Sequence, residues 1–152
     1  MRFALRMIAI AMFVAACGQS QSSVSPAPHT SPTPHEVGTA TLTETGCDFA
    51  MPDSIPMTVL SFGLVARTKY TAHFSVIRVD DGHTFKEMVD YWYAHLGMEA
   101  RFGTLIAEKA VRPNDSDKLV ATITLKGTYA FHCGYKDENG TVTGFFHELN
   151  AG

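Results

Sequence analysis

The stretch that most limits what this chain can fold into runs Leu125-Lys126-Gly127-Thr128-Tyr129-Ala130-Phe131-His132-Cys133-Gly134-Tyr135. Gly127 suits a turn, and from there the residues alternate. Side chains along a strand have a period of two, so Tyr129, Phe131 and Cys133 share one face. Two bulky rings and a thiol on one side require a core against that side. The stretch therefore reads as a strand of a layered β protein, with Cys133 pointing inward and His132 outward to solvent.

The same pattern recurs along the chain. Thr39 to Thr45 is short, β-branched and alternating, and Gly46 allows a bend before Cys47, Phe49 and Met51, which again share a face. Met51-Pro52-Asp53-Ser54-Ile55-Pro56 is a proline-bounded connection. Thr58 to Ala66 supplies a strand with Leu60, Phe62 and Leu64 on its more apolar, core-facing side, and Tyr70 to Val79 supplies the next. In that strand Phe74 and Val76 share a face with Ala72, whereas His73 lies on the other; a slip of one residue would reverse them.

Thr84 with Glu87 forms a capping box, and Phe85, Met88, Val89, Trp92 and Leu96 recur at helical spacing up to Gly97, so one helix is expected there. Met88 and Trp92 are read as packing residues, and His95 as a last-turn residue suited to the helix dipole. Met98 to Lys109 reads as irregular with a short apolar piece, and a turn is expected within Ala110 to Lys118. Leu119 to Leu125 and Thr141 to Leu149 read as strands, the latter after an Asp137-Glu138-Asn139-Gly140 turn. About seven short strands with regular turns predict an all-β Greek-key β-sandwich with one inserted α-helix.

The start of the chain has a different character. Arg2 and Arg6 precede an apolar run from Met7 to Val14, too short for a spanning helix, and Val14-Ala15-Ala16-Cys17 looks like a bacterial lipobox. Residues 1–16 are thus expected to be a lipoprotein signal peptide, with Cys17 lipidated. Residues 17–38, rich in Ser, Thr and Pro, would be a semi-stiff tether in which His29 and His35 are solvated, and residues 39–152 the domain. The partners this implies are a bacterial membrane, reached through the N-terminal lipid, and an unidentified protein of the envelope. The domain would face the periplasm, and a residue other than Asp at position 18 favours the outer membrane. Removing Arg2 and Arg6 lowers the twelve basic side chains to ten against fifteen acidic ones, a balance of −5. That argues against nucleic acid, which requires a basic patch.

The G-T-Y-x-F-x-C run near the C-terminus, together with the M-P-D-S-I-P turn, resembles cupredoxins, the blue-copper fold. The resemblance implies a copper site of two imidazoles and one thiolate with a weak axial sulfur, a donor set suited to both copper oxidation states. Cys133 occupies the thiolate's position. The rest of the set departs from the family. The H-x-F histidine position holds Ala72, with His73 one residue out of register. After Cys133 there is no histidine before His147 and no methionine at all.

Two states of Cys133 stay open. With Cys47, the other inward cysteine of an exported domain, it can form a disulfide. As a free thiol it can join His147 and His73 in an atypical copper site. Enzyme signatures are absent: there is no G-x-S-x-G, no H-E-x-x-H and no Gly-rich phosphate loop. The expected function is a non-enzymatic, membrane-anchored binding module, accessory to metal handling or to a redox complex, needing no cofactor. The alternative is a copper-binding electron-transfer or copper-delivery protein built on Cys133.

Overall fold

The structure is a computed structural model and describes residues 33–95 and 101–152. Nine strands and one helix follow in order: β1 His35–Thr43, β2 Cys47–Ala50, β3 Ser54–Ile55, β4 Val59–Arg67, β5 Ala72–Val79, α1 Phe85–Ala94, β6 Gly103–Val111, β7 Ser116–Thr122, β8 Gly127–Lys136 and β9 Val142–Ala151. They form two sheets, β2-β1-β4-β7 and β3-β9-β8-β5-β6. The β1–β4 and β3–β9 pairs are parallel; the others are antiparallel. The β-sandwich with one helix expected from the sequence is the observed architecture.

Alternation explains the core. In β4, Leu60, Phe62, Leu64 and Ala66 are buried while Val59, Gly63 and Val65 are not, which puts the apolar side of the strand inward. Opposite them stand Phe74 and Val76 of β5, Tyr129, Phe131 and Cys133 of β8, and Leu149 and Ala151 of β9. Phe131 is central: its ring lies 5.0 Å from Phe62 of the facing sheet and 6.5 Å from Phe74 beside it. Burying a side chain of this size contributes about 1.5 to 3 kcal/mol. Tyr129, also buried, satisfies its hydroxyl by donating to the Leu125 carbonyl at 2.8 Å.

Helix α1 begins as predicted. The Thr84 side chain accepts from the Glu87 backbone N–H, and the Glu87 carboxylate accepts from the Thr84 backbone N–H. Its interior ends at Ala94, with His95 as C-cap donating its backbone N–H to the Tyr91 and Trp92 carbonyls. Leu96 and Gly97, expected to close the helix, lie outside the described residues, as do Cys17, His29 and the expected signal peptide. Met88 and Trp92 are buried and turn inward, packing α1 on the outer face of the five-stranded sheet.

Several boundaries are corrected by strand pairing. β1 begins at His35, inside the stretch read as a solvated tether, because His35 and Glu36 pair with Leu60 and Ser61 before a register shift at Gly38. Met98 to Lys109, read as irregular, contains most of β6. Its period of two is broken because Val76 pairs with Ala107 while Ile77 pairs with Leu105, leaving Ile106 as an extra residue. β7 starts three residues before Leu119, since pairing with β4 reaches Ser116 opposite Val65. At the open edge between β6 and β7, Lys109 reaches across the sandwich to Asp117 at 2.9 Å.

Candidate functional site

Register fixes which face each candidate residue occupies. Phe74 pairs with Cys133, and Cys133 with Phe145, so all three share the inner face of the five-stranded sheet; Phe131 pairs with His147 on that same face. His73 pairs with Gly134 on the outer face, and β5 runs in continuous register with β8 from Ala72 to Arg78. No bulge rotates His73 inward. It is exposed, whereas Phe74 is 1% exposed.

Cys133 is bonded to Cys47, closing a loop of 86 residues between the edge strand β2 of one sheet and the central β8 of the other. The two ends of the bridge differ. Cys133 has no exposed surface, while Cys47 is half-buried at the rim. Next to them Phe49 packs edge-on to Phe131, with centroids 6.2 Å apart, and stacks on the His147 ring at 5.3 Å. His147 Nε2 is enclosed and lies 3.3 Å from Asp53 Oδ1. That separation permits a charge contact, but the pair is not aligned as a hydrogen bond, and the carboxylate is exposed.

A copper ion of the kind the resemblance implies does not fit these residues. The thiolate it needs is consumed by the disulfide. His73 stands on the opposite face of the sheet, and His147 is held between Phe49 and Asp53. Among the described residues no three His, Cys, Asp or Glu side chains converge as a metal site.

A different polar cluster lies on the outer face. Ser75 pairs with Glu108 on one side and His132 on the other, while His73 in the neighbouring row is flanked by Ala110 and Gly134. The small flanking residues leave a groove of ≈ 510 Å³ lined by His73, Phe74, Ser75, Glu108, Lys109, Ala110 and His132. His132 forms one wall, and its place corrects the expectation of a solvent-exposed histidine. Parity does put it on the outer face, but α1 covers that face: Trp92 sits 5.3 Å from its ring and Phe146 4.7 Å. Glycines make the room. A Cβ on Gly144 would come within 2.5 Å of Trp92 and 2.7 Å of His132 Nε2. Tyr93 fastens the same point by donating its hydroxyl to the Gly144 carbonyl at 3.0 Å.

His132 Nδ1 lies 3.3 Å from Ser75 Oγ, whereas Nε2 is fully enclosed and has no partner among the described residues. The residue as a whole keeps some exposure toward the groove; the ring edge beneath α1 has none. Burial, and then the positive charge of nearby His73, lower its pKa from 6.5 to about 4. Such an imidazole is neutral near pH 7 and a weak base. Among the described residues no carboxylate orients the second nitrogen, and an activated serine requires such a group. The cluster was half legible in the sequence. Parity placed His132, and the apolar stripe of α1 demanded a face to cover, but nothing local linked the two.

No family model matches the chain, and no curated protein matches it. Among solved structures it is similar to a sodium-dithionite-reduced auracyanin from the photosynthetic bacterium Roseiflexus castenholzii. That match has 15% identity and a TM-score of 0.45 over 76% of this chain and 95% of the other. It is also similar to auracyanin B at 11% identity and a TM-score of 0.46, over 80% of this chain and 92% of that one. The fold is a β-sandwich of a four-stranded and a five-stranded sheet, and its inner-face cysteine, Cys133, is a half-cystine.

Proposed function

We propose that this chain is a lipid-anchored binding module of the bacterial cell envelope that uses the sandwich as a scaffold and not as a copper centre. One observation carries the reading: Cys133, which the resemblance to cupredoxins puts in the position of a copper-binding thiolate, is bonded to Cys47. A cross-linked sulfur has no thiolate to give a metal. The inner face is then pure core and staple. What remains for recognition is the outer face, with its groove walled by His73, Ser75, Glu108 and His132. A mixed polar and apolar concavity suits a partner of the metal-handling or redox type expected above, presented at the membrane by lipid on Cys17.

The test has two parts on the full chain. Expressed in a bacterium that processes lipoproteins, the wild type should fractionate with membranes and Cys17→Ala should not. Titrated with copper(II), the purified protein should show no thiolate-to-copper charge-transfer band. A strong band that disappears in Cys133→Ser would overturn the scaffold reading in favour of a copper-binding electron-transfer or delivery protein.

A further inference from the structure

We propose that the Cys47–Cys133 bridge is a redox-operated latch on a short strap, Cys47 to Met51, which covers the His147 imidazole at the rim of the inner face. The inference rests on the bridge itself and goes beyond the scaffold reading above.

The strap is anchored at both ends without the bridge. Before it, Thr43 closes a turn on Gly46, its backbone N–H donating to the Gly46 carbonyl at 2.8 Å, and the Tyr135 hydroxyl of β8 donates to the Glu44 carbonyl at 2.8 Å. After it, the Asn150 N–H donates to the Asp53 carbonyl at 2.7 Å, and β3 pairs with the end of β9 while burying Ile55. Between these anchors lies a four-residue edge strand in which Asp48 and Ala50 are exposed and Cys47 and Phe49 only half-buried. So little burial gives low local stability. Its crossing of β1 is close, since a Cβ on Gly38 would meet the Ala50 carbonyl oxygen at 2.2 Å. It is held over the rim by its four pairings with β1, by Met51 packed on the core, by the Phe49 ring stacked on His147, and by the disulfide, the one covalent tie among them.

Exposure gives the chemistry a direction. A dithiol reductant can reach Cys47 at the rim but not Cys133, which is fully enclosed. Its thiolate attacks Cys47 Sγ, forming a mixed disulfide, while the Cys47–Cys133 bond breaks and its electron pair leaves on Cys133 Sγ, which takes a proton. The reductant's second thiol then displaces Cys47, which is protonated in turn. Two electrons and two protons reach the protein, and the reductant departs as its own disulfide. The strap, now held by non-covalent contacts alone, lifts. His147 becomes accessible while the anchors keep the sandwich intact.

The experiment compares the full chain oxidised and after reduction with dithiothreitol, following segment-resolved hydrogen exchange and acylation of His147 by diethyl pyrocarbonate. Thiols are counted first in the unreduced protein. Reduction should speed exchange of residues 48–51 at least about tenfold and raise His147 acylation, with β8 and β9 still protected. Cys47→Ser should reproduce both effects without reductant. Free Cys47 and Cys133 in the unreduced chain would refute the bridge and, with it, both readings. A bridge whose reduction leaves the strap and His147 unchanged, or exposes β8 and β9 equally, would overturn the latch alone.

Discussion

Acid should destabilise this protein well above the pH at which carboxylates titrate, and His132 is the cause. Its enclosed Nε2 has no partner among the described residues, and its pKa falls from 6.5 to about 4 through burial, aided by the charge of His73. The unfolded chain takes up this proton near pH 6.5, the folded one only near pH 4. Stability is therefore complete above pH 6.5 and declines as pH falls through that window. The two values correspond to a loss of about 2 kcal/mol by pH 5 and about 3 kcal/mol by pH 4. Glu36 and Asp117, whose carboxyl pKa values are lowered by Lys118 and Lys109, do not act in the upper part of this window. Urea unfolding can be followed by the emission of Trp92, the chain's one tryptophan, which packs on His132. The wild-type midpoint should fall between about pH 7.5 and pH 5, and that of His132→Gln should fall much less. Equal midpoints at the two pH values, or an equal fall in His132→Gln, would refute the burial argument.

Other substitutions probe the packing. Gly144→Ala places a methyl group within 2.5 Å of the Trp92 ring, so it should cost about 1 to 3 kcal/mol and shift Trp92 emission toward that of an exposed indole. Phe131→Ala, at a fully buried ring, should lower unfolding free energy by about 3 to 5 kcal/mol in denaturant titration. Thr84→Ala removes the side-chain cap of α1 and should cost about 1 kcal/mol, with early loss of protection in residues 85–88 by hydrogen exchange. Cys47→Ser with Cys133→Ser should cost about 2 to 4 kcal/mol in chemical unfolding, since the bridge closes a long loop.

The parts of the fold legible in the sequence were those encoded by short-range periodicity. Alternation alone put Tyr129, Phe131 and Cys133 inward, and His73 and Phe74 on opposite faces. Thr84 with Glu87 placed the start of α1. Where a tertiary partner decides the conformation, local reading failed. His35 and Glu36 are polar and follow prolines, yet parallel pairing with β4 makes them a strand. The bulge at Ile106 hid β6 by breaking its alternation. His132 was assigned to the right face, but the helix that covers that face comes from some forty residues earlier in the chain and fits because Gly144, on another strand, carries no side chain. The cysteines show the same limit: parity turned both inward, but only the packing of β2 over β8 brings their Cα atoms to 6.6 Å.

The central claim is that Cys133 is a structural half-cystine and not a metal ligand. Its most direct test is alkylation of the unreduced full chain after exposure to copper(II) and desalting, with masses read on the peptides containing Cys47 and Cys133. For a half-cystine, both cysteines should escape alkylation, their peptides should stay joined until a reductant is added, and no copper should be retained. Separate, alkylated Cys47 and Cys133 peptides from a protein that also retains copper would contradict it.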